Sequence, residues 1–285
     1  MGALGEVGSS VGQALTRLGH DVQPVSSRTV VSGASVLSVD SAIEAVRGNG
    51  FDFVVNAGGR GDKRAEARNP RPVTRLVGEA CERSRVRGAL ISTVRVLEDA
   101  QDTVAGSAEP RCHSEYARAN EHNEAEWIRA APTQGHVVRL ANFLCAPSQV
   151  DSPQVQLLPW SLVTEALLTG AIKVRSTSAV SREFVGPDDV ARALIAVGRA
   201  DAPPQVVSTI PGLRLTLEQL TNAVSDALEA SGALRPTVSF GEETSTGPVL
   251  VGDWLSRNGW SALITPSEVS SIIAQWLSEH ASILK

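Results

Sequence analysis

Residues 2–8, GALGEVG, carry three glycines at intervals of three, and an amphipathic segment from Val11 to Leu18 follows them directly. The apolar spacing of that segment predicts a helix that ends before Gly19. Glycines at the start of a helix allow a tight turn and let backbone N–H groups approach a phosphate, which the helix dipole also attracts. Similar spacing occurs in loops that bind nothing, so the sequence downstream has to distinguish a phosphate site from a plain turn.

Downstream of this loop, short apolar strands alternate with amphipathic helices. The predicted strands are 21–26, 36–39, 51–56, 88–92, 136–140 and 206–208, and the helices between them are 41–47, 69–84, 116–130 and 187–198. Such alternation is typical of a parallel sheet with helices on both faces. Together with the glycine turn it predicts an α/β fold of the Rossmann type, a doubly wound parallel sheet that binds a dinucleotide.

The alternation weakens after Pro147, which predicts a second, smaller domain. We expect the Rossmann domain to comprise 1–147, with 176–200 and 205–210 returning to it. A small C-terminal α/β lobe that binds the substrate would comprise 148–175 and 211–285. Its predicted helices are 160–168, 217–231 and 266–283, with turn-rich sequence between the last two.

The first strand of the predicted sheet is missing, because Met1 alone precedes Gly2. In a Rossmann sheet this strand lies in the middle, directly before the glycine turn. Three explanations stay open: the start is assigned too far downstream, the sheet closes by pairing the strands on either side, or the protein is a degenerate relative. We favour the first as a hypothesis.

Composition excludes several classes of function. The net charge of −5 gives no electrostatic reason to bind nucleic acid, and no run of about 18 apolar residues predicts a membrane span. The three cysteines, Cys81, Cys112 and Cys145, are widely spaced without a C-x-x-C pair, so neither a disulfide framework nor a metal site is expected. Residues 1–10 do not resemble a signal peptide, and we therefore expect a cytoplasmic protein.

Several segments, in chain order, resemble the extended short-chain dehydrogenase/reductases, that is, the NAD-dependent epimerase/dehydratase family. The glycine loop is similar to the family's GxxGxxG, and FDFVVNAGG (51–59) is similar to its DxVxNxA strand and loop. LISTVRV (90–96) resembles the strand that bears the catalytic Ser or Thr, and Tyr116 opens a helix as in YxxxK. The further similar segments are VVRLANFLCAP (137–147), SREFVGPDDVARAL (181–194), STIPGLRLTLEQL (208–220) and 253–277. The resemblance covers nearly the whole chain.

The resemblance implies a catalytic role for three residues. Tyr116 would be the acid/base, and Thr93 would hydrogen-bond the substrate oxygen. The family's lysine, four residues after the tyrosine, is replaced by Asn120. An amide can hydrogen-bond the nicotinamide ribose, but it has no charge to stabilise a phenolate. We therefore expect Tyr116 to act as a proton donor.

A second set of residues is predicted to bind the cofactor. Ser26, Ser27 and Arg28 follow the second strand where an NAD site would carry an acid, which favours NADP(H) over NAD(H). Asp40 either contacts the adenine or caps the helix that follows it. The full predicted set is Gly2, Gly5, Glu6, Val7, Gly8, Arg28, Asp40, Ala57, Gly58, Gly59 and Asn142.

The substrate is expected to be a small anionic molecule. By the resemblance Arg182 would meet a diphosphate or another anion, and Trp160 is a second candidate contact. The family's dehydratases carry an Asp-Glu pair where this chain has Val94 and Arg95, so a 4,6-dehydratase is not expected. The leading hypothesis is an NADPH-dependent reductase or epimerase of a nucleotide-activated sugar or a related carbonyl compound.

Two other functions stay open, together with the state of assembly. One is a catalytically degenerate dinucleotide-binding or regulatory protein, and the other is a non-redox isomerase or lyase that uses the same pocket. In the resembled family, the helices corresponding to 69–84 and 116–130 form a dimeric four-helix bundle, which predicts a possible homodimer. Their acidic residues, Glu79, Glu82, Glu124 and Glu126, are also compatible with a solvated monomer surface.

Overall fold

The computed structural model describes residues 5–26, 36–58, 73–98, 103–105, 108–147, 157–199, 207–244, 249–251 and 254–280. The chain divides into two compact units. Unit 1 comprises Met1–Ala141, Pro187–Pro211 and Pro248–Ser261, and unit 2 comprises Asn142–Gly186, Gly212–Gly247 and Ala262–Lys285. Within the described residues, no helix combines the length and apolar character needed to cross a membrane.

Unit 1 is built on a parallel sheet with helices packed against it, as the sequence predicts. The strands β1 (Phe53–Asn56), β2 (Arg87–Thr93), β4 (Gly135–Leu140) and β8 (Val207–Ile210) are hydrogen-bonded in the order β1-β2-β4-β8, all parallel. Its helices are α1 (Glu6–Arg17), α2 (Val39–Arg47), α3 (Val73–Ser84), α4 (Glu115–Ala130), α6 (Pro187–Arg199) and the short α8 (Trp254–Arg257). The small strands β3 (Thr103–Ala105) and β11 (Val249–Val251) pair with each other.

The sequence prediction was wrong at the edge of this sheet. Instead of strands at 21–26 and 36–39, the structure has one isolated parallel bridge between Val25 and Leu37. The reason lies in Ser38, whose hydroxyl accepts a hydrogen bond from the backbone N–H of Ser41 at 3.0 Å. This cap starts α2 at Val39, so the chain turns into a helix where the apolar pattern predicted a strand.

Two glycines set the distance between α4 and the sheet. Gly88 of β2 and Gly135 of β4 lie opposite each other in the ladder. A Cβ at either position would lie 2.9 Å from an atom of the Trp127 side chain, which is fully buried. The indole therefore takes the space that two side chains would fill, and α4 packs directly on the strands.

Unit 2 has its own core and two small sheets. The strands β5 (Asn142–Phe143), β7 (Ser181–Val185) and β9 (Leu213–Thr216) form one sheet, while β6 (Ala171–Ser176) pairs with β10 (Thr237–Glu243). The helices are α5 (Trp160–Thr169), α7 (Leu217–Ala230) and α9 (Pro266–His280). Trp160, Phe184 and Trp276 are buried together in its core.

The unit boundaries differ from the predicted domains in three places. Residues 142–147 and 176–186 belong to unit 2, because β5 and β7 pair with each other and β7 pairs with β9. Residues 248–261 belong to unit 1, where β11 pairs with β3 and α8 packs near β8. The turn-rich sequence before the last helix therefore contains β10, β11 and α8, which the apolar pattern did not predict.

Candidate active site

Thr93 is the last residue of β2, at the carboxyl end of the parallel sheet. Its Oγ1 accepts a hydrogen bond from the backbone N–H of Arg95 at 3.2 Å and so caps a short 3₁₀ helix, Val94–Leu97. The carboxyl ends of parallel strands are where ligands bind in open α/β sheets. Because its oxygen accepts this bond, the hydroxyl can still donate its hydrogen to a ligand.

Tyr116 lies in the first turn of α4, which packs against β2 and the 3₁₀ helix. Ser114 caps this helix, since its hydroxyl accepts a hydrogen bond from the backbone N–H of Ala117 at 3.1 Å. The Tyr116 side chain is 38% exposed. The helix that carries the candidate proton donor is therefore fixed at its N-terminus, while the aromatic ring stays accessible.

Asn120 is buried one turn further along α4. Its Nδ2 donates a hydrogen bond to the backbone carbonyl of Tyr116 at 2.8 Å. The side-chain amide of Asn120 therefore hydrogen-bonds to the backbone of its own helix in this structure. The side chain adds no positive charge beneath the tyrosine, which agrees with what its chemistry predicts.

Glu98 connects the segment after Thr93 with the start of α4. Its carboxylate accepts hydrogen bonds from the backbone N–H of His113 (3.2 Å) and from both the N–H (2.9 Å) and the hydroxyl (2.7 Å) of Ser114. The Arg95 guanidinium donates to it as well, at 3.0 and 2.6 Å. One carboxylate therefore ties the end of the strand that bears Thr93 to the cap of the helix that bears Tyr116.

These bonds also change the acidity of Glu98. Burial acts to raise its pKa, but the hydrogen bonds from Ser114, Arg95 and His113 outweigh burial and lower the pKa from 4.5 to about 2. The carboxylate is bonded as an anion and the bonds weaken when it is protonated. A lowered pKa means that the stabilisation is complete above the unfolded value of 4.5 and is lost as the pH falls toward 2.

Replacing Glu98 by glutamine is therefore expected to lower the free energy of unfolding at pH 7 by about 1–3 kcal/mol, because an amide satisfies fewer of these donors. The loss should shrink as the pH falls from about 5 to 2, where the wild-type carboxylate is itself protonated. Urea unfolding at a series of pH values measures it. Glu109→Gln, an exposed carboxylate of the neighbouring segment, is the matched control. A pH-independent loss at Glu98 would contradict this account.

A second carboxylate is buried behind the site. Glu124 of α4 receives two hydrogen bonds from the Arg139 guanidinium, at 3.0 and 2.7 Å, and one from the Ser92 hydroxyl at 2.5 Å. Arg139 also donates to the backbone carbonyl of Ala108 at 2.7 Å. The side chains of Glu124 and Arg139 are only 3% and 2% exposed. The network joins α4, β2 and β4, so it holds the helix of Tyr116 against the strand of Thr93.

Glu124 and Glu126 do not lie on a solvated surface, which corrects one interpretation of the helix 116–130. Glu124 faces the sheet, and Glu126 is 7% exposed and paired with Arg129. No sequence pattern indicates this burial, because acidic residues in a helix are usually solvated. The role of Glu98 was not predicted from the sequence either. A single acidic residue in a loop belongs to no motif with a recognisable spacing.

The residues predicted to bind the cofactor lie at several places in unit 1. Gly5 is the N-cap of α1 in an extended conformation, with no side-chain cap among the described residues, and Glu6, Val7 and Gly8 form the first turn. Asp40 lies in the first turn of α2 behind the Ser38 cap, so it is not the capping residue. Gly58 follows β1, and its N–H donates to Asn56 Oδ1 at 3.1 Å, with Ala57 between them. Gly2, Arg28 and Gly59 lie outside the described residues.

Three predicted residues belong to unit 2. Asn142 donates through Nδ2 to the backbone carbonyl of Glu183 at 2.8 Å, and Arg182 donates to the carbonyl of Ser181 at 3.0 Å. Trp160 is 1% exposed and packs against Trp276 with ring centroids 5.2 Å apart. Its side chain belongs to the core of unit 2 in this structure, and the substrate contact at Trp160 stays a prediction from the sequence. A large aromatic residue has the same appearance in sequence whether it fills a core or lines a pocket.

The described residues contain no group of three or more His, Cys, Asp or Glu side chains that could hold a metal ion. Cys81, Cys112 and Cys145 are free thiols, and burial raises the pKa of Cys81 to about 12.

The fold and the placement of Thr93 and Tyr116 define a Rossmann-type α/β protein with its candidate site at the carboxyl end of the sheet. The model of the NAD dependent epimerase/dehydratase family matches residues 1–208. The chain belongs to this family. No curated protein sequence shows significant similarity to it.

Solved structures of the same fold align with nearly the whole chain. MoeE5 in complex with UDP-glucuronic acid and NAD has a TM-score of 0.73 at 19% identity, covering 98% of this chain and 97% of that one. DesIV, a dTDP-glucose 4,6-dehydratase from Streptomyces venezuelae, has a TM-score of 0.73 at 18% identity, covering 100% and 98%. The UDP-glucose 4-epimerase of Thermotoga maritima has a TM-score of 0.71 at 17% identity, covering 98% of each. At these identities the similarity shows the fold.

Proposed function

We propose that the protein is an NADPH-dependent epimerase or reductase that acts on a nucleotide-activated sugar or a related carbonyl compound. The observation that carries the proposal is the connection through Glu98, which links the segment after Thr93 to the capped start of the Tyr116 helix. A catalytic pair on two separate elements needs such a connection to keep its geometry. Family membership and structural similarity to proteins described with UDP- and dTDP-sugars support the substrate class.

In this proposal Thr93 and Tyr116 act on the same substrate oxygen. The Thr93 hydroxyl donates a hydrogen bond that orients the carbonyl, and the Tyr116 phenol donates a proton to the oxygen as negative charge develops on it. Asn120 provides no cation, so proton donation from the neutral phenol is the step that this set of side chains supports best. Arg182 would hold an anionic group of the substrate.

One feature of the described residues supports the binding of a dinucleotide. The α1 N-terminus begins at Gly5 without a side-chain cap among the described residues, so backbone N–H groups of its first turn can bind a pyrophosphate. The predicted contacts are Gly2, Gly5, Glu6, Val7, Gly8, Asp40, Ala57, Gly58, Gly59 and Asn142. A bound nicotinamide would supply the hydride transfer.

NADP(H) is proposed over NAD(H) because Arg28 can pair with a 2′-phosphate. Titration of the five tryptophans' fluorescence with NADPH and NADH should give the tighter dissociation constant for NADPH. Arg28→Glu is expected to weaken NADPH binding about 10- to 100-fold while leaving NADH binding nearly unchanged. Arg83→Glu, an exposed arginine on α3, is the control and should change neither constant. Absence of binding by both nucleotides would contradict the proposed function.

One observation favours a second function, that of a catalytically silent dinucleotide-binding protein. Asn120 is buried and bonded to its own helix, where the resembled family has its lysine. Assays with NADPH or NAD and a panel of UDP-glucose, UDP-glucuronic acid and dTDP-glucose distinguish the two. Binding of NADPH without turnover of any sugar would support the silent protein over the enzyme.

The state of assembly and the location stay predictions from the sequence. A homodimer through the helices at 69–84 and 116–130 is proposed because α3 and α4 pack side by side, as two helices of a bundle do. The cytoplasmic location rests on the sequence alone.

A further inference from the structure

The surface of unit 1 contains a cavity of about 450 Å³ that shares no residue with the candidate active site. Three segments border it: Leu18 and His20, which follow α1, one face of α6, and the turn at 258–260 that follows α8. All three segments belong to unit 1, so the cavity lies within one compact unit. Its lining includes none of the predicted catalytic, cofactor-binding or substrate-binding residues. Cavities of about this size bind small organic ligands.

The face of α6 that lines the cavity has an apolar middle between two cations. Its four residues follow one another at spacings of three, four and seven from the first: Arg192, Ile195, Ala196 and Arg199. Such spacings place side chains on one side of a helix. At a rise of about 1.5 Å per residue, the two arginines lie about 10 Å apart along the helix axis. One molecule can therefore contact both a cation and the apolar surface beside it.

The charged side chains around the cavity are all positive. They are Arg192 and Arg199, and His20 adds a third group that can take up a proton. No Asp or Glu is among the described residues of the lining. The chain as a whole is acidic, with a net charge of −5, so this positive patch differs from the average surface. A local excess of positive charge attracts anions.

Most hydrogen-bond donors of these side chains are unused within the described part of the chain. Arg199 is exposed, and neither its guanidinium nor the His20 imidazole has an ion pair or hydrogen bond with another described residue. Arg192 donates through Nη1 to the carbonyl of Ser261 at 3.1 Å and lies 3.7 Å from the Asp189 carboxylate. Its Nε and Nη2 have no described partner. Accessible guanidinium donors of this kind bind carboxylates and phosphates.

The remaining lining is largely apolar. Trp260 is 6% exposed, and its backbone N–H donates to the carbonyl of Leu255 at 3.1 Å, which fixes the residue to the end of α8. Leu18 is 45% exposed, and Ile195 is half-buried on α6. An apolar group that covers these side chains removes their surface from water, which favours binding.

We propose that this cavity binds a small organic anion, in which a carboxylate or phosphate group is attached to a compact apolar body. The anionic group pairs with the Arg199 guanidinium, and Arg192 and His20 supply further donors. The apolar body lies along Ile195 toward Trp260. The proposal does not depend on the proposed function of the active site.

The test uses the full chain labelled with fluorotryptophan, so that fluorine NMR observes each of its five tryptophans separately. Trp260→Phe identifies the Trp260 resonance by its loss. Benzoate and phenyl phosphate are the probes, and they distinguish a carboxylate site from a phosphate site. Benzyl alcohol is the uncharged counterpart, and inorganic phosphate is an anion without an apolar body.

Benzoate, phenyl phosphate or both are expected to shift the Trp260 resonance saturably, with a dissociation constant of about 10 mM or lower. Benzyl alcohol and inorganic phosphate should bind at least about tenfold more weakly, because each lacks one half of the interaction. Arg199→Gln is expected to weaken binding of the probe at least about tenfold by removing a charge-assisted hydrogen bond. Arg83→Gln is the matched control, since Arg83 is also an exposed arginine in the last turn of a helix, and should leave binding unchanged.

Three results would overturn the proposal: no saturable shift at Trp260 with either probe, equally tight binding of benzyl alcohol or inorganic phosphate, or equal losses in the two arginine variants. The resonances of Trp160 and Trp276, which are buried in unit 2, report whether each variant is folded. The measurement needs neither a dinucleotide nor turnover, so failure here is distinct from failure of the proposed function.

Discussion

Replacing Glu124 by glutamine is expected to lower the free energy of unfolding by about 3–5 kcal/mol, which is the largest stability effect that the structure predicts. The substitution removes the carboxylate charge that pairs with the Arg139 guanidinium, whose side chain is only 2% exposed. It also changes the acceptor of the Ser92 hydroxyl. Urea unfolding at pH 7, followed by circular dichroism, measures the loss.

The matched control for this variant is Glu44→Gln on α2. Glu44 forms an ion pair with Arg47 in which both side chains are largely exposed, so removing its charge should change stability by less than about 0.5 kcal/mol. A small loss at Glu124, similar to that at Glu44, would show that the buried pair contributes no more than a surface pair. In that case α4 would be held mainly by its other contacts, among them the packing of Trp127 and the Glu98 bonds to Ser114.

Replacing Tyr116 by phenylalanine is expected to lower kcat for the nucleotide sugar identified by the substrate panel by about 100- to 10,000-fold. The substitution removes only the phenol oxygen, and with it the proposed proton donor. Tyr116 is 38% exposed and the aromatic ring is kept, so stability should change little. Steady-state kinetics together with the NADPH titration measure the effect.

Two possible results show whether the loss of kcat is caused by the loss of proton donation. An unchanged melting temperature and an unchanged NADPH affinity, with kcat strongly reduced, are expected for a group that acts on the substrate. Full activity in the Phe variant would contradict the role of Tyr116. Because Tyr116 is the only tyrosine in the chain, the loss of tyrosine absorbance also confirms the substitution directly.

The sequence predicted the central sheet and most helices of unit 1, because their apolar periods are long and regular. The helix predicted at 116–130 is Glu115–Ala130, and the strand predicted at 88–92 is Arg87–Thr93. Thr93 and Tyr116 were found through motifs that combine a strand end with a helix start. Such motifs consist of residues that are close to one another along the chain, so they can be recognised in a single sequence.

Other features depend on contacts between distant parts of the chain, which no local pattern encodes. Glu98 approaches Ser114 only because the loop folds back to α4, and Glu124 meets Arg139 across the helix–sheet packing. Trp160, a predicted substrate contact, lies in the core of unit 2. The segments near Val25 and Leu37 were predicted as two strands from their apolar residues, and the structure has a single isolated bridge between them.

Trp127 and Gly88 restrict each other's replacement. A Cβ at Gly88 would lie 2.9 Å from the indole, so a larger residue at position 88 requires a smaller side chain at position 127. Gly135 is restricted independently of the indole, because a Cβ there would lie 2.6 Å from the backbone carbonyl oxygen of Ala131. Among homologues, positions 88 and 127 should therefore be exchanged together, whereas position 135 should remain glycine.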